Sequence, residues 1–222
     1  MRRAYWWAIG LGVGTLVVLA AIVLLRTIPL RSAEEEPAGK LPEIRLDSGA
    51  VVERFAAALR YRTVSYQDTA QIDRTEFERF HQFLQHSFPR VHQQLEWERV
   101  GGYSLLYRWR GQDSTLPAVL LMGHMDVVPI EPGTEHQWRY PPFGGVVAEG
   151  SVWGRGAIDD KITVMGILEA AEALLREGFR PKRDVYFAFG HDEEIGGRHG
   201  AQQIVALLKQ RGVRLELSLI HI

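Results

Sequence analysis

Residues 118–129 read AVLLMGHMDVVP, and residues 184–197 read DVYFAFGHDEEIGG. In each, a short apolar run stops at a glycine and gives way at once to His, Asp or Glu. Uninterrupted runs such as Ala118 to Met122 and Asp184 to Phe189 predict strands buried on both faces. A third polar cluster, GRGAIDDK at 154–161, follows a hairpin-like stretch, Val146 to Trp153, that turns at Glu149-Gly150. It precedes a long amphipathic pattern, Asp160 to Glu177, with Val164, Ile167, Leu168, Ala171, Leu174 and Leu175 on one face and Gly178 at its end.

Further helices are predicted over Asp47–Arg62, capped by Asp47 or Ser48, over Asp73–Phe88 and over Ala201–Lys209. β-like stretches fall at Leu95–Val100 and Ser104–Trp109. His81 and His86 lie on or near the second of these helices, where packing or surface roles are expected. Strands alternating with helices predict an α/β fold, a mostly parallel central sheet flanked by helices.

Composition narrows the chemistry. The chain has 222 residues, 26 Lys+Arg against 27 Asp+Glu, and no cysteine. Near-neutral charge argues against a nucleic-acid partner. Without Cys there are no disulfides, thiolate zinc sites or cysteine nucleophiles. A metal, if present, must be held by His and carboxylates. Residues 1–31 carry Arg2, Arg3, Arg26 and Arg31 and no acid, which leaves 22 basic against 27 acidic residues in the remainder.

Trp6 to Leu25 is an uncharged apolar run long enough to span a bilayer core, with arginines at both ends and Trp6 and Trp7 at an interfacial position. The run is longer than a signal-peptide core, and Thr27-Ile28-Pro29-Leu30 does not resemble a cleavage site. An uncleaved single-pass anchor is therefore favoured over a cleaved signal. The expected division is an anchor at 1–31, a tether at 32–46 containing Glu34-Glu35-Glu36, and a catalytic region at 47–216. The globular part is expected outside, periplasmic or extracellular.

The three polar clusters follow predicted buried elements in order, where α/β sheets bind ligands. Alone, each has a plain reading: a surface His/Asp pair, a Gly-rich turn with Asp159 or Asp160 capping a helix, a solvated acidic loop. Together they supply imidazole and several carboxylates, a donor set that suits zinc, with Co2+ or Mn2+ as substitutes. So many acids in one crevice repel one another unless cations are bound, and two metals would relieve that repulsion.

With GHMDVVP, WRYPPFGG (138–145), GRGAIDDK and GHDEEIGG on the page, residues 48–216 resemble the co-catalytic zinc hydrolases. That family includes glutamate carboxypeptidases, aminoacylases, bacterial dipeptidases and succinyl-diaminopimelate desuccinylase. Leu121 to Gly200 looks closest to the N-fatty-acyl-amino-acid hydrolase/synthase branch. The resemblance implies two Zn2+ ions, with His124 a ligand of one, Asp159 bridging both and Glu194 a ligand of the other. It makes Asp126 the residue that orients His124, and Glu193 the general base. It implies a cis Asp159–Asp160 bond, and a loop shaped near the site by Trp138, Pro142 and Phe143. No catalytic role falls to His191 or Asp192.

The implied reaction is hydrolysis of an amide next to a free carboxylate, as in a carboxypeptidase or N-acyl-amino-acid amidohydrolase. The alternatives are a dipeptidase or deacylase of short polar substrates, and a non-catalytic anchored binding protein of the same fold. The family pattern also calls for a further acidic ligand, a distant His ligand and a lid domain that supplies a dimer interface in some members. A homodimer is thus one assembly the resemblance allows. Residues 217–222 (LSLIHI) fall where the acid is expected, contain none, and match the in-frame reading of a transposon-end sequencing adaptor. The expectation is a truncated, inactive chain with a tail foreign to the enzyme.

Overall fold

The computed structural model describes residues 2–27 and 44–220, in two units. The tether up to residue 43 and the last two residues of the 217–222 tail lie outside the described residues.

The first unit is one helix, α1 (Arg2–Thr27). Its 26 residues give about 39 Å at 1.5 Å per residue, enough for a hydrocarbon core of about 30 Å. The Thr15 hydroxyl donates to the Leu11 carbonyl (2.9 Å) and the Thr27 hydroxyl to the Val23 carbonyl (2.6 Å), so these polar groups are satisfied within the helix.

The second unit begins with α2 (Ser48–Ala58), where Asp47 caps the helix by accepting the Ala50 N–H at 3.1 Å. Asp73 caps α3 (Arg74–Ser87) in the same way. Pro89 starts a separate short helix, α4 (Pro89–Gln94), at a stretch too brief to show periodicity. The remaining elements are β1 (Glu96–Val100), β2 (Ser104–Trp109), β3 (Ala118–His124), the hairpin β4 (Val146–Ala148) and β5 (Ser151–Trp153), α5 (Lys161–Arg176), β6 (Val185–Gly190), α6 (Ala201–Gln210) and β7 (Leu215–Ile220).

The central sheet has the order β1-β2-β6-β3-β7. β3 is parallel to both β6 and β7, while β2 is antiparallel to β6 and to β1. Four of the five strands therefore point one way, and β2 alone runs against them. Both faces are covered at β2, β3 and β6, which is why these inner strands lack polar alternation. Leu105, Tyr107, Phe187 and Phe189 pack on one face against α3, α4 and α5 through Phe80, Leu84, Val91, Val164 and Leu168. Leu106, Leu120, Tyr186 and Ala188 pack on the other against Ile204 and Leu208 of α6.

His81 is a packing residue, 1% exposed on α3. Its Nε2–H donates to the Tyr103 carbonyl at 2.9 Å, and Nδ1 has no partner among the described residues. Burial, reinforced by the Arg99 charge, holds its pKa down to about 4. A folded pKa below the unfolded value of about 6.5 stabilises the protein above pH 6.5 and loses that contribution as pH falls towards 4. The expected loss is about 3 kcal/mol over that window. Urea unfolding at pH 7 and pH 5 should show a smaller pH-dependent loss in His81→Gln than in the parent chain.

Candidate metal centre

The register of the two central parallel strands builds the site: His124, the last residue of β3, pairs with Gly190, the last of β6. The segments following both strands therefore emerge side by side at their carboxyl ends. The start of α5 is drawn to the same edge, because the Asp160 carboxylate accepts the His124 N–H at 3.1 Å. Asp160 thus occupies the cap position of α5 but makes no side-chain cap bond there, accepting from β3 instead. A Cβ on Gly123 would stand 3.0 Å from Asp160 Oδ2 and 3.2 Å from Thr163 Cγ2, so a side chain there would force these neighbours back by a few tenths of an ångström.

The sequence-predicted residues meet here. One donor atom each from His124, Asp159 and Glu194 lie within 4.8 Å of one another. His124 Nε2 is 2.8 Å from Asp159 Oδ1 and 3.8 Å from Glu193 Oε2. The imidazole is buried, while the Asp159 and Glu193 side chains remain 65% and 48% exposed. The result is a buried nitrogen wall faced by acids that open to solvent. The Asp159–Asp160 peptide is cis.

Electrostatics favour a cation between these groups. Burial opposes charge on His124, but the Asp126 hydrogen bond and the charges of Asp126 and Asp160 outweigh it and raise the imidazole to about 9. Burial raises the Glu194 carboxyl, and Asp159, Asp126 and Glu193 push the same way. A carboxyl raised by neighbouring acids beside an imidazole is the environment a divalent cation relieves, and the mixed N/O donor set fits zinc. His124, Asp159 and Glu194 each offer one donor atom at a place suited to a metal ion.

Asp126 is fully buried and holds the acidic loop. Its Oδ1 accepts the Glu193 N–H, and its Oδ2 accepts the Glu194 N–H, both at 3.1 Å. The Ser65 hydroxyl donates to Oδ2 at 2.6 Å. His124 Nδ1 lies 3.0 Å from the Asp126 backbone carbonyl and 3.4 Å from its Oδ1. The imidazole is thus held by the carbonyl and the carboxylate together, and the carboxylate also anchors the glutamates. Burial works against its charge, yet bonds from His124 and Ser65 keep Asp126 below the ordinary carboxylate range.

The surrounding loops are fixed through the other motif residues. The Pro142 carbonyl accepts the Arg155 N–H at 2.6 Å, and the Arg155 guanidinium lies over the Trp138 ring at 5.2 Å. Phe143 lies beneath Arg62 at 5.1 Å. His191 and Asp192 are buried: His191 Nδ1 pairs with the Ser104 hydroxyl at 2.7 Å, and Asp192 accepts the His199 N–H at 2.7 Å.

Two participants carry no signal in the sequence. Ser65 stands alone in a loop. Lys161 ends the GRGAIDDK motif, yet its ammonium is fully buried, donating to the Ala58 and Tyr61 carbonyls at 3.1 and 2.6 Å and facing the Phe80 ring. It ties the start of α5 to the end of α2.

Comparison with known proteins agrees with this geometry. Residues 120–222 match the family described as Peptidase family M20/M25/M40. The chain is 46% identical over 156 residues to the Dictyostelium discoideum protein named Probable carboxypeptidase S-like 2, covering 69% of this chain and 30% of that protein. It is 39% identical over 212 residues to an N-fatty-acyl-amino acid synthase/hydrolase of Xenopus tropicalis, covering 92% of this chain and 40% of the relative. The chain thus spans between about a third and two fifths of these relatives. Its fold is similar to human carnosine dipeptidase 1, with a TM-score of 0.59 and 20% identity over 77% of this chain and 37% of that one. Motifs, fold and relatives agree that residues 120–222 carry a domain of peptidase family M20/M25/M40.

Proposed function

We propose that this chain carries the metal-binding half of a carboxypeptidase or N-acyl-amino-acid amidohydrolase, which cleaves an amide next to a free carboxylate. The observation that carries this reading is the convergence of His124, Asp159 and Glu194 within 4.8 Å, with Glu193 beside them. His124, Asp159 and Glu194 would hold two zinc ions, Asp159 shared between them. Bound zinc would supply Lewis acidity towards the scissile carbonyl and make water more acidic. Glu193, half exposed and 3.8 Å from His124 Nε2, takes the proton of the attacking water and passes it to the leaving nitrogen. Asp126 holds both glutamates in place by their backbone N–H groups.

The described residues supply three ligands where two tetrahedral ions need more, so the 222-residue chain on its own is proposed to be inactive. α1 would anchor the protein, with the catalytic region on the periplasmic or extracellular side. The test uses a polypeptide of the relatives' full length, assayed on N-acyl-amino acids and short peptides. Turnover should vanish on chelation and return with zinc. Turnover that persists in chelator overturns the proposal.

A further inference from the structure

Ser65 belongs to none of the four motifs, and it is 1% exposed. The segment Thr63–Ser65 runs beside the residues that follow β3. The Ser65 N–H donates to the Val127 carbonyl and the Val127 N–H to the Thr63 carbonyl, each at 3.0 Å, and Val64 pairs with Val127 in parallel. This brace delivers the Ser65 hydroxyl 2.6 Å from Asp126 Oδ2 and 3.1 Å from the His191 carbonyl. A hydroxyl has one proton, and the shorter, charge-assisted contact with the carboxylate takes it.

We propose that Ser65 is a positioning residue of the metal centre. An aspartate side chain turns readily about its last torsion. Here each oxygen must face a different amide, Oδ1 that of Glu193 and Oδ2 that of Glu194. The Ser65 hydroxyl fixes that plane. Without it the carboxylate can swing towards His124 Nδ1, 3.4 Å from Oδ1, and the two glutamates lose their common anchor. The inference rests on the reading that His124, Asp159 and Glu194 hold a metal.

Thr63 supplies the control. It lies in the same brace, is fully buried, and donates its hydroxyl to the Met125 carbonyl at 2.6 Å without touching Asp126. The experiment is a Co2+ titration of the whole 222-residue chain, read by visible absorbance, alongside thermal unfolding. Ser65→Ala should weaken Co2+ binding roughly tenfold or more and alter the absorption bands, as loss of a ligand's supporting partner does, whereas Thr63→Val should lower Tm but hold affinity within about twofold. Should the alanine variant not fold, Ser65→Cys keeps the volume, offers only a weak donor and should weaken binding in the same direction. Unchanged Co2+ affinity in the Ser65 variants, or equal weakening in Thr63→Val, overturns the positioning role. A parent chain that binds no Co2+ overturns the metal reading itself.

Discussion

On the proposed hydrolase reading, Glu193→Gln in a polypeptide of the relatives' full length is expected to lower kcat by roughly 10²–10⁴-fold, with metal content unchanged. The two neighbouring glutamates are held alike by Asp126 but differ in what their carboxylates reach. Glu194 contributes a donor atom to the cluster with His124 and Asp159. The Glu193 carboxylate stands aside from it, 3.8 Å from His124 Nε2 and about half exposed. Glutamine keeps the shape and the backbone anchor, but it cannot accept a proton from water. The loss should fall on kcat, with KM little changed, because the interaction removed belongs to the transition state. Glu194→Gln should instead lower the zinc content along with turnover. Steady-state kinetics paired with metal analysis separates the two. Full activity in Glu193→Gln would exclude it as the base and reopen the reading as a binding protein.

The parts of this site that were legible in the sequence share a physical cause. β3 and β6 are buried on both faces, so their composition is apolar without interruption, and polar residues right after such strands stand out. Their parallel register then puts His124 opposite Gly190, which is why two distant motifs form one site. Asp47 was readable as a candidate cap, beside Ser48, because a short acceptor before an apolar period has few other uses.

What escaped the sequence depends on tertiary contact. α4 is too short for periodicity. The reversed direction of β2 leaves no local mark, since a strand buried on both faces has the same composition either way. Ser65 and Lys161 act through partners distant in sequence: the Asp126 carboxylate and His191 carbonyl, 61 and 126 residues away, for the first, and backbone carbonyls 100 or more residues away for the second. The resemblance makes Asp126 the residue that orients His124, and its Oδ1 lies 3.4 Å from His124 Nδ1; what differs from that expectation is that the same carboxylate also holds the Glu193 and Glu194 N–H groups.

That difference makes Asp126→Asn a sharp test, with an expected loss of about 1–3 kcal/mol for each buried N–H left without an acceptor. The carboxylate offers only acceptors, and every group aimed at it is a donor: the Ser65 hydroxyl and the N–H groups of Glu193 and Glu194. An amide of the same size replaces one acceptor with an NH2. With the NH2 at the Oδ1 position, it opposes the Glu193 N–H. Flipped to Oδ2, it opposes the Glu194 N–H, while Ser65 can rotate to accept from it. Either orientation orphans at least one glutamate amide. Asp126→Ala removes the whole anchor beside a charged imidazole and should cost about 3–5 kcal/mol, a large share of a typical net stability of about 5–15 kcal/mol. In both variants the His124 Nδ1–H still has the residue-126 carbonyl, 3.0 Å away in the parent. Nitrogen NMR of the imidazole should therefore report Nδ1 still protonated and hydrogen-bonded, while the Glu193 and Glu194 amide protons shift and Co2+ affinity falls. Loss of that Nδ1–H bond with the glutamate amides undisturbed would show that the carboxylate orients the histidine and does not hold the glutamate loop.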